Sequence, residues 1–161
     1  MFDKKLHGVV IALPTPLLEN EDVDTTSLKN LIDYCIGEEA DAIMVLGTMG
    51  EGVALTDKQR IITVETAVAH TNKRIPVLAT VSGASTRKTI ENLKAIEVIG
   101  ADFIVCTSPF YNKFPDPKSL VDHIHTAADA SSIPLIFYNA PGATGNSASV
   151  DSIDEILNLD N

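Results

Sequence analysis

Three short stretches concentrate the groups that could do chemistry. Gly47-Thr48-Met49-Gly50-Glu51-Gly52 spaces its glycines so that the backbone can turn tightly and present successive amide N–H groups, the donors that hold a carboxylate or phosphate. The spacing is not that of a dinucleotide fingerprint, and the P-loop lysine is missing. Thr107-Ser108-Pro109-Phe110-Tyr111-Asn112 gathers aromatics in a chain where they make up only 5% of residues. Phe137-Tyr138-Asn139-Ala140-Pro141, followed by Gly142-Ala143-Thr144-Gly145, offers a phenol that could move a proton if hydrogen bonds bias it. Taken singly, each has a plainer reading: a connector, aromatics packed on a neighbour, a tyrosine capping a core.

Other reactive residue types group less well. His123 and His125 lie two apart, about 200° around a helix, so they cannot share a ligand face. His7 and His70 sit at element ends, and no metal is expected. Cys35 and Cys106 stand in apolar surroundings without C-x-x-C or Cys/His spacing, as core thiols do.

The elements that must position these groups are legible from periodicity. Brief, β-branched, nearly unbroken apolar runs recur at Gly8–Leu13, Ala42–Leu46, Pro76–Val81, Asp102–Cys106 and Pro134–Tyr138, the pattern of strands covered on both faces. Amphipathic stretches separate them. The first begins near Asp24-Thr25 and carries Leu28, Leu31, Ile32 and Cys35 on one stripe. The second opens on Thr56-Asp57-Lys58-Gln59, a capping box, and runs through Ile61, Ile62, Val64, Ala67 and Val68. The third starts at Ser85-Thr86, carries Ile90, Leu93, Ile96 and Val98, and stops at Gly100; the fourth follows Pro117 and the fifth Ser149. Strict βα alternation implies a parallel sheet, either an open doubly wound one or part of a (β/α)8 barrel. A barrel takes about 250 residues, so 161 residues hold five of its eight units.

Composition bounds the partners. The net charge of -10 and the lack of a basic run argue against nucleic acid. The N-terminal apolar run ends at Pro14, too short and wrongly flanked for a signal peptide or membrane span, so a reduced cytoplasmic setting is expected.

Together and in order, Gly-Thr-x-Gly-Glu at 47–51, Ser-Pro-x-Tyr-Asn at 108–112 and Tyr-Asn-x-Pro-x-x-Thr-Gly at 138–145 resemble the pyruvate-dependent class I aldolases. That is the family of dihydrodipicolinate synthase and N-acetylneuraminate lyase. Ala12-Leu13-Pro14-Thr15-Pro16 looks like the end of the family's first strand, and Leu55-Thr56 with Gln59-Arg60 like its second-helix entry. The resemblance covers nearly all of this chain and a little over half of a family member. It implies that residues 1–161 form the N-terminal five-eighths of a single TIM-barrel domain, the first five βα units.

Its chemical implications are specific. Family members condense pyruvate with a lysine on the sixth strand, and the imine serves as electron sink without any cofactor. Tyr138 matches the tyrosine that shuttles protons at that centre, Thr48 the hydroxyl that hydrogen-bonds it, and Tyr111 the aromatic hydroxyl that completes a neighbouring subunit's relay. A phenol of pKa about 10 needs such bonds to work at neutral pH. Amides around Gly47, Thr48 and Met49 would hold the carboxylate of pyruvate or another 2-oxo acid, with Glu51 bracing the loop through nearby backbone amides. Met49 replaces a second threonine of the synthase, and Ala143 replaces the arginine that binds its second substrate's carboxylate. Both departures point to a branch acting on sugar acids or other 2-oxo acids. The complete protein is expected to be a homo-oligomer.

No lysine follows Lys118, and Lys113 beside the aromatic loop has no reason to be a buried amine. The chain is therefore expected to stop short of the reactive lysine, to be inactive alone, and to expose strand edges that favour self-association. Two alternatives remain: a non-catalytic carboxylate-binding or regulatory paralogue, and a flavodoxin-like sheet with an anion at its switch point.

Overall fold

A computed structural model describes residues 6–158. Five strands, β1 (Val10–Ala12), β2 (Ala42–Val45), β3 (Val77–Thr80), β4 (Phe103–Thr107) and β5 (Leu135–Tyr138), form one all-parallel sheet in the order β1-β2-β3-β4-β5. Each falls within a residue or two of its expected run. The monotonic order corrects the flavodoxin-like alternative: a doubly wound sheet must reverse its strand order at a switch point, and this one never does. Consecutive pairing is how the wall of a singly wound barrel is built.

Helices α1 (Thr25–Gly37), α2 (Asp57–Thr71), α3 (Thr86–Glu97) and α4 (Pro117–Ala130) connect successive strands; α5 (Pro141–Thr144) and α6 (Val150–Leu157) follow β5. Their starts are fixed locally. Asp24, Thr56, Ser85, Asp116 and Ser149 each accept a bond from a first-turn N–H, and Thr56 and Gln59 complete the capping box reciprocally. The one-turn α5 lies where the sequence suggested only a loop. Its signals are Pro141 at the first position and Gly145 in the left-handed conformation at the end. α3 stops at Glu97, short of Val98, which is 84% exposed rather than part of the buried stripe.

Strand side chains alternate between two apolar environments. Ile43, Val45, Ala79, Ile104 and Cys106 face the helices and pack with Leu28, Ile32, Leu93, Ile96 and Ile124 in the main core. Ala42, Leu78, Phe103 and Val105 form a smaller cluster with Val10, Met44 and Ile136 on the opposite face. Burial on both faces explains the nearly continuous apolar strands. Each fully buried Leu or Ile contributes about 1.5–3 kcal/mol by leaving water. β1 pairs only with β2 and β5 only with β4, so among the described residues the sheet has two unpaired edges. Beside β5, Ile124, Leu135, Phe137, Ile153 and Ile156 line an apolar groove of about 390 Å³.

Both thiols are buried and free. Cys106 is pushed up to about 12 by desolvation. Its neighbour His123, 3.7 Å away through Nε2, is lowered to about 4 by the same burial, while its Nδ1 lies 2.9 Å from Thr86 Oγ1. His125 shares none of these partners; its Nε2 is buried without a hydrogen bond among the described residues. A buried neutral imidazole has a pH signature. Below the ordinary histidine value of about 6.5 the unfolded chain gains a proton that the folded chain refuses until about 4, so stability falls with pH across that window. Urea denaturation at pH 7 and pH 4.5 should show a loss of about 2 kcal/mol, which His123→Leu flattens. Carboxylates lowered by bonding, such as Asp33 and Asp57, withdraw their contribution only below about pH 4 and leave the window clear. An equal slope in parent and variant would refute the assignment.

Candidate active site

The glycine loop after β2 is held in place by backbone contacts. Leu46 takes a left-handed φ of 61° and starts a run of turns. Gly52 N–H donates to Gly47 O at 3.3 Å, and Glu51 N–H to Thr48 O at 3.2 Å. Gly52 must lack a side chain, because a Cβ there would lie 2.1 Å from the Leu46 carbonyl oxygen. From the segment after β1, Thr15 Oγ1 donates to Gly50 O at 2.7 Å. Arg60, buried in the first turn of α2, donates through Nη1 to Gly52 O at 2.7 Å and through Nη2 to Thr80 O at 3.1 Å. One guanidinium thus ties the loop to the end of β3, with its pKa lowered by desolvation. The sequence marked Arg60 only as part of a helix entry. Thr48 and Met49 N–H groups donate to no acceptor among the described residues, which leaves two adjacent donors free for an anion.

The loop after β4 is held from the units on either side. Thr107 N–H donates to Ser82 Oγ at 2.9 Å. Asn146, 7% exposed, donates through Nδ2 to Pro109 O at 2.8 Å and Asn112 O at 2.9 Å, and accepts from Phe114 N–H at 2.8 Å. Between those anchors Tyr111 adopts φ 78° and is 93% exposed. Left-handed backbone at a non-glycine residue costs of order 1 kcal/mol and is kept only where neighbours enforce it. Leu46, Glu51 and Tyr111 all do so beside one cavity.

That cavity, about 410 Å³, opens at the carboxyl ends of β2 to β5. Gly47, Thr48, Tyr111 and Tyr138, separated by up to 91 residues in sequence (138 minus 47), all line it. Met49 does not; its side chain is 62% exposed outside the lining. Thr107 and Phe110 of the aromatic stretch line it too, as do Thr80 and Ser82, which carried no sequence signal because they sit at the end of an apolar strand. Among the described residues the lining contains one ionisable carboxylate, Glu51, and no lysine, arginine or histidine. Glu51 departs from its expected bracing role: its residue is exposed and its carboxylate accepts no bond among the described residues, while its carbonyl accepts Ala54 N–H at 2.8 Å. Thr48 and Tyr138 share the cavity without a hydrogen bond between them. Lys113 is exposed and outside the lining, and Lys4 and Lys5 lie outside the described residues.

An apolar-walled pocket rimmed by hydroxyls and by free amides can hold a small carboxylate beside a phenol. Among the described residues it has no amine with which to form an imine. Nor is there, among the described residues, a cluster of three His, Cys, Asp or Glu side chains placed to bind a metal, or a helix long and apolar enough to cross a membrane.

The sequence model of the dihydrodipicolinate synthetase family matches residues 5–161. The 4-hydroxy-tetrahydrodipicolinate synthase of Methanothermobacter thermautotrophicus is 34% identical over 156 residues, 97% of this chain and 55% of that protein. That of Neisseria meningitidis serogroup B is 35% identical over 97% of this chain and 53% of its own length. Among solved structures, chloride-inhibited dihydrodipicolinate synthase from Acinetobacter baumannii complexed with pyruvate superposes with a TM-score of 0.92 at 34% identity, over 96% of this chain and 53% of that one. The Aquifex aeolicus enzyme gives 0.89 at 35%, over 94% and 51%. The chain spans about half the length of the curated relatives it matches.

Proposed function

This chain belongs to the dihydrodipicolinate synthetase family, and from that premise we propose that it supplies the substrate-holding half of a pyruvate-dependent, Schiff-base-forming lyase. The observation that carries the reading is the cavity of about 410 Å³ where Gly47, Thr48, Tyr111 and Tyr138 converge. In this reading the unpaired amides of Thr48 and Met49 hold the carboxylate of pyruvate or a related 2-oxo acid. Fixed donors aimed at an anion need no reorganisation during reaction. Met49 then contributes through its backbone, in keeping with its outward side chain. Tyr138 handles the proton at the reacting carbon, Thr48 biases its hydroxyl once a ligand draws them together, and Tyr111 serves the relay of a neighbouring subunit.

In this reading the reactive amine is not among residues 6–158, since no described lysine lines the cavity. Residues 1–161 are one part of a single barrel domain, and the lysine would come from a strand added beside β5, where the sheet edge and the apolar groove lie open. Ala143 presents only a methyl group to the cavity, so a second substrate with its own carboxylate finds no cation there. Sugar acids and other hydroxylated 2-oxo acids suit that wall better. A homo-oligomer with Tyr111 reaching a neighbour, and a cytoplasmic setting, belong to the same reading.

Borohydride reduction in the presence of pyruvate, read by intact mass, tests the missing amine. The 161-residue polypeptide should take up no three-carbon adduct. A reduced adduct mapped to any of its lysines would overturn that part of the proposal.

A further inference from the structure

We propose that Thr80 is a hydroxyl anchor for the ligand carboxylate, a role that rests on the reading of the cavity given above. Thr80 ends β3 on the cavity side of the sheet, two residues after Leu78 of the inner cluster. It is 6% exposed, and its Oγ1 is buried without any hydrogen-bond partner among the described residues. Burying a hydroxyl unpaired costs stability, and an apolar side chain of the same shape would avoid that cost. A valine fits every other demand of this strand end, so the hydroxyl calls for a partner that arrives with the ligand.

Position identifies that partner. Oγ1 lies 3.8 Å from where a Cβ on Gly47 would be, so only the absence of a side chain at Gly47 separates it from the start of the amide loop. One step between staggered χ1 wells redirects the hydroxyl without moving the backbone, which Arg60 fixes through the Thr80 carbonyl at 3.1 Å. Thr48 lines the same cavity from the loop, one residue after Gly47. Met49 has a thioether in place of a hydroxyl and turns it outward. Thr80 therefore supplies from β3 a side-chain donor that Met49 does not supply from the loop. The ligand group it suits is the carboxylate of a 2-oxo acid, an anion that accepts from several donors at once.

The test is a pyruvate titration of the isotopically labelled 161-residue chain, followed by amide chemical shifts, with melting temperature measured in parallel. In the parent protein the Thr48 and Met49 amides should shift on binding. Thr80→Val should raise the pyruvate Kd roughly tenfold, the size expected for one hydrogen bond to a charged group, and raise the melting temperature. Thr80→Ser should bind within about twofold of the parent. If Thr80→Val binds pyruvate as the parent does while Thr48 and Met49 still shift, the Thr80 assignment fails and the cavity reading stands. If Thr80→Val loses affinity and melting temperature together, the hydroxyl is structural and the assignment fails. If the parent's Thr48 and Met49 amides do not respond to pyruvate, both fall.

Discussion

Gly52→Ala should abolish pyruvate binding and destabilise the chain by more than about 3 kcal/mol, the scale of a core steric conflict that backbone must absorb. The methyl group would lie 2.1 Å from the Leu46 carbonyl oxygen and 2.8 Å from its carbon, and neither is the end of a flexible side chain. Leu46 already sits at φ 61° and is buried, so it has little room to yield. Moving Gly52 away instead breaks its N–H bond to Gly47 and pulls its carbonyl from Arg60, whose second nitrogen also holds Thr80. Either displacement reaches Gly47 and Thr48, which line the cavity. Gly37→Ala makes the control: nothing lies within 4 Å of its added methyl at the end of α1, so it should be neutral or mildly stabilising. Urea midpoints of the two variants decide the matter. A Gly52→Ala protein as stable as Gly37→Ala would mean that the loop is not wedged.

What could be read from the sequence follows from how far each signal extends along the chain. Strands and helices are announced locally, by apolar runs and by caps such as Thr56 with Gln59, and these were legible to within a residue or two. Gly47, Thr48, Tyr111 and Tyr138 stood out because glycine and tyrosine are conspicuous just past a strand end, and the structure gathers them in one cavity. Sheet order was not legible from βα spacing, which is the same for a barrel wall and a doubly wound sheet; the motif resemblance pointed to the barrel, and the pairing β1-β2-β3-β4-β5 agrees with it. Arg60, Thr80 and Asn146 were missed for a common reason. Each does its work through partners 8 to 37 positions away, and nothing in the adjacent residues marks it. Val98 shows the opposite failure: a hydrophobic residue at helical spacing was expected to be buried, but α3 had already ended.

Asn146→Ala should cost about 3 kcal/mol, because one side chain satisfies three backbone groups at once. Pro109 O, which is buried, and Asn112 O and Phe114 N–H, whose bonds are partly buried, lose their partner together, each loss costing of order 1 kcal/mol. The loss should be felt at Tyr111, whose φ of 78° persists only while both flanks of its loop are held. Asn146→Asp separates this from simple side-chain deletion. The carboxylate can still accept from Phe114 N–H, but it turns a donor into a second acceptor against the carbonyls of Pro109 and Asn112. At neutral pH it should therefore be less stable than Asn146→Ala, and it should recover toward low pH as the acid becomes a donor again. Amide exchange across residues 109–114 reports the loop, and denaturation of both variants at pH 7 and pH 4 reports the energy. Exchange at 109–114 that stays as slow in Asn146→Ala as in the parent would show that Tyr111 is held by something other than the arm reaching over from the β5 unit.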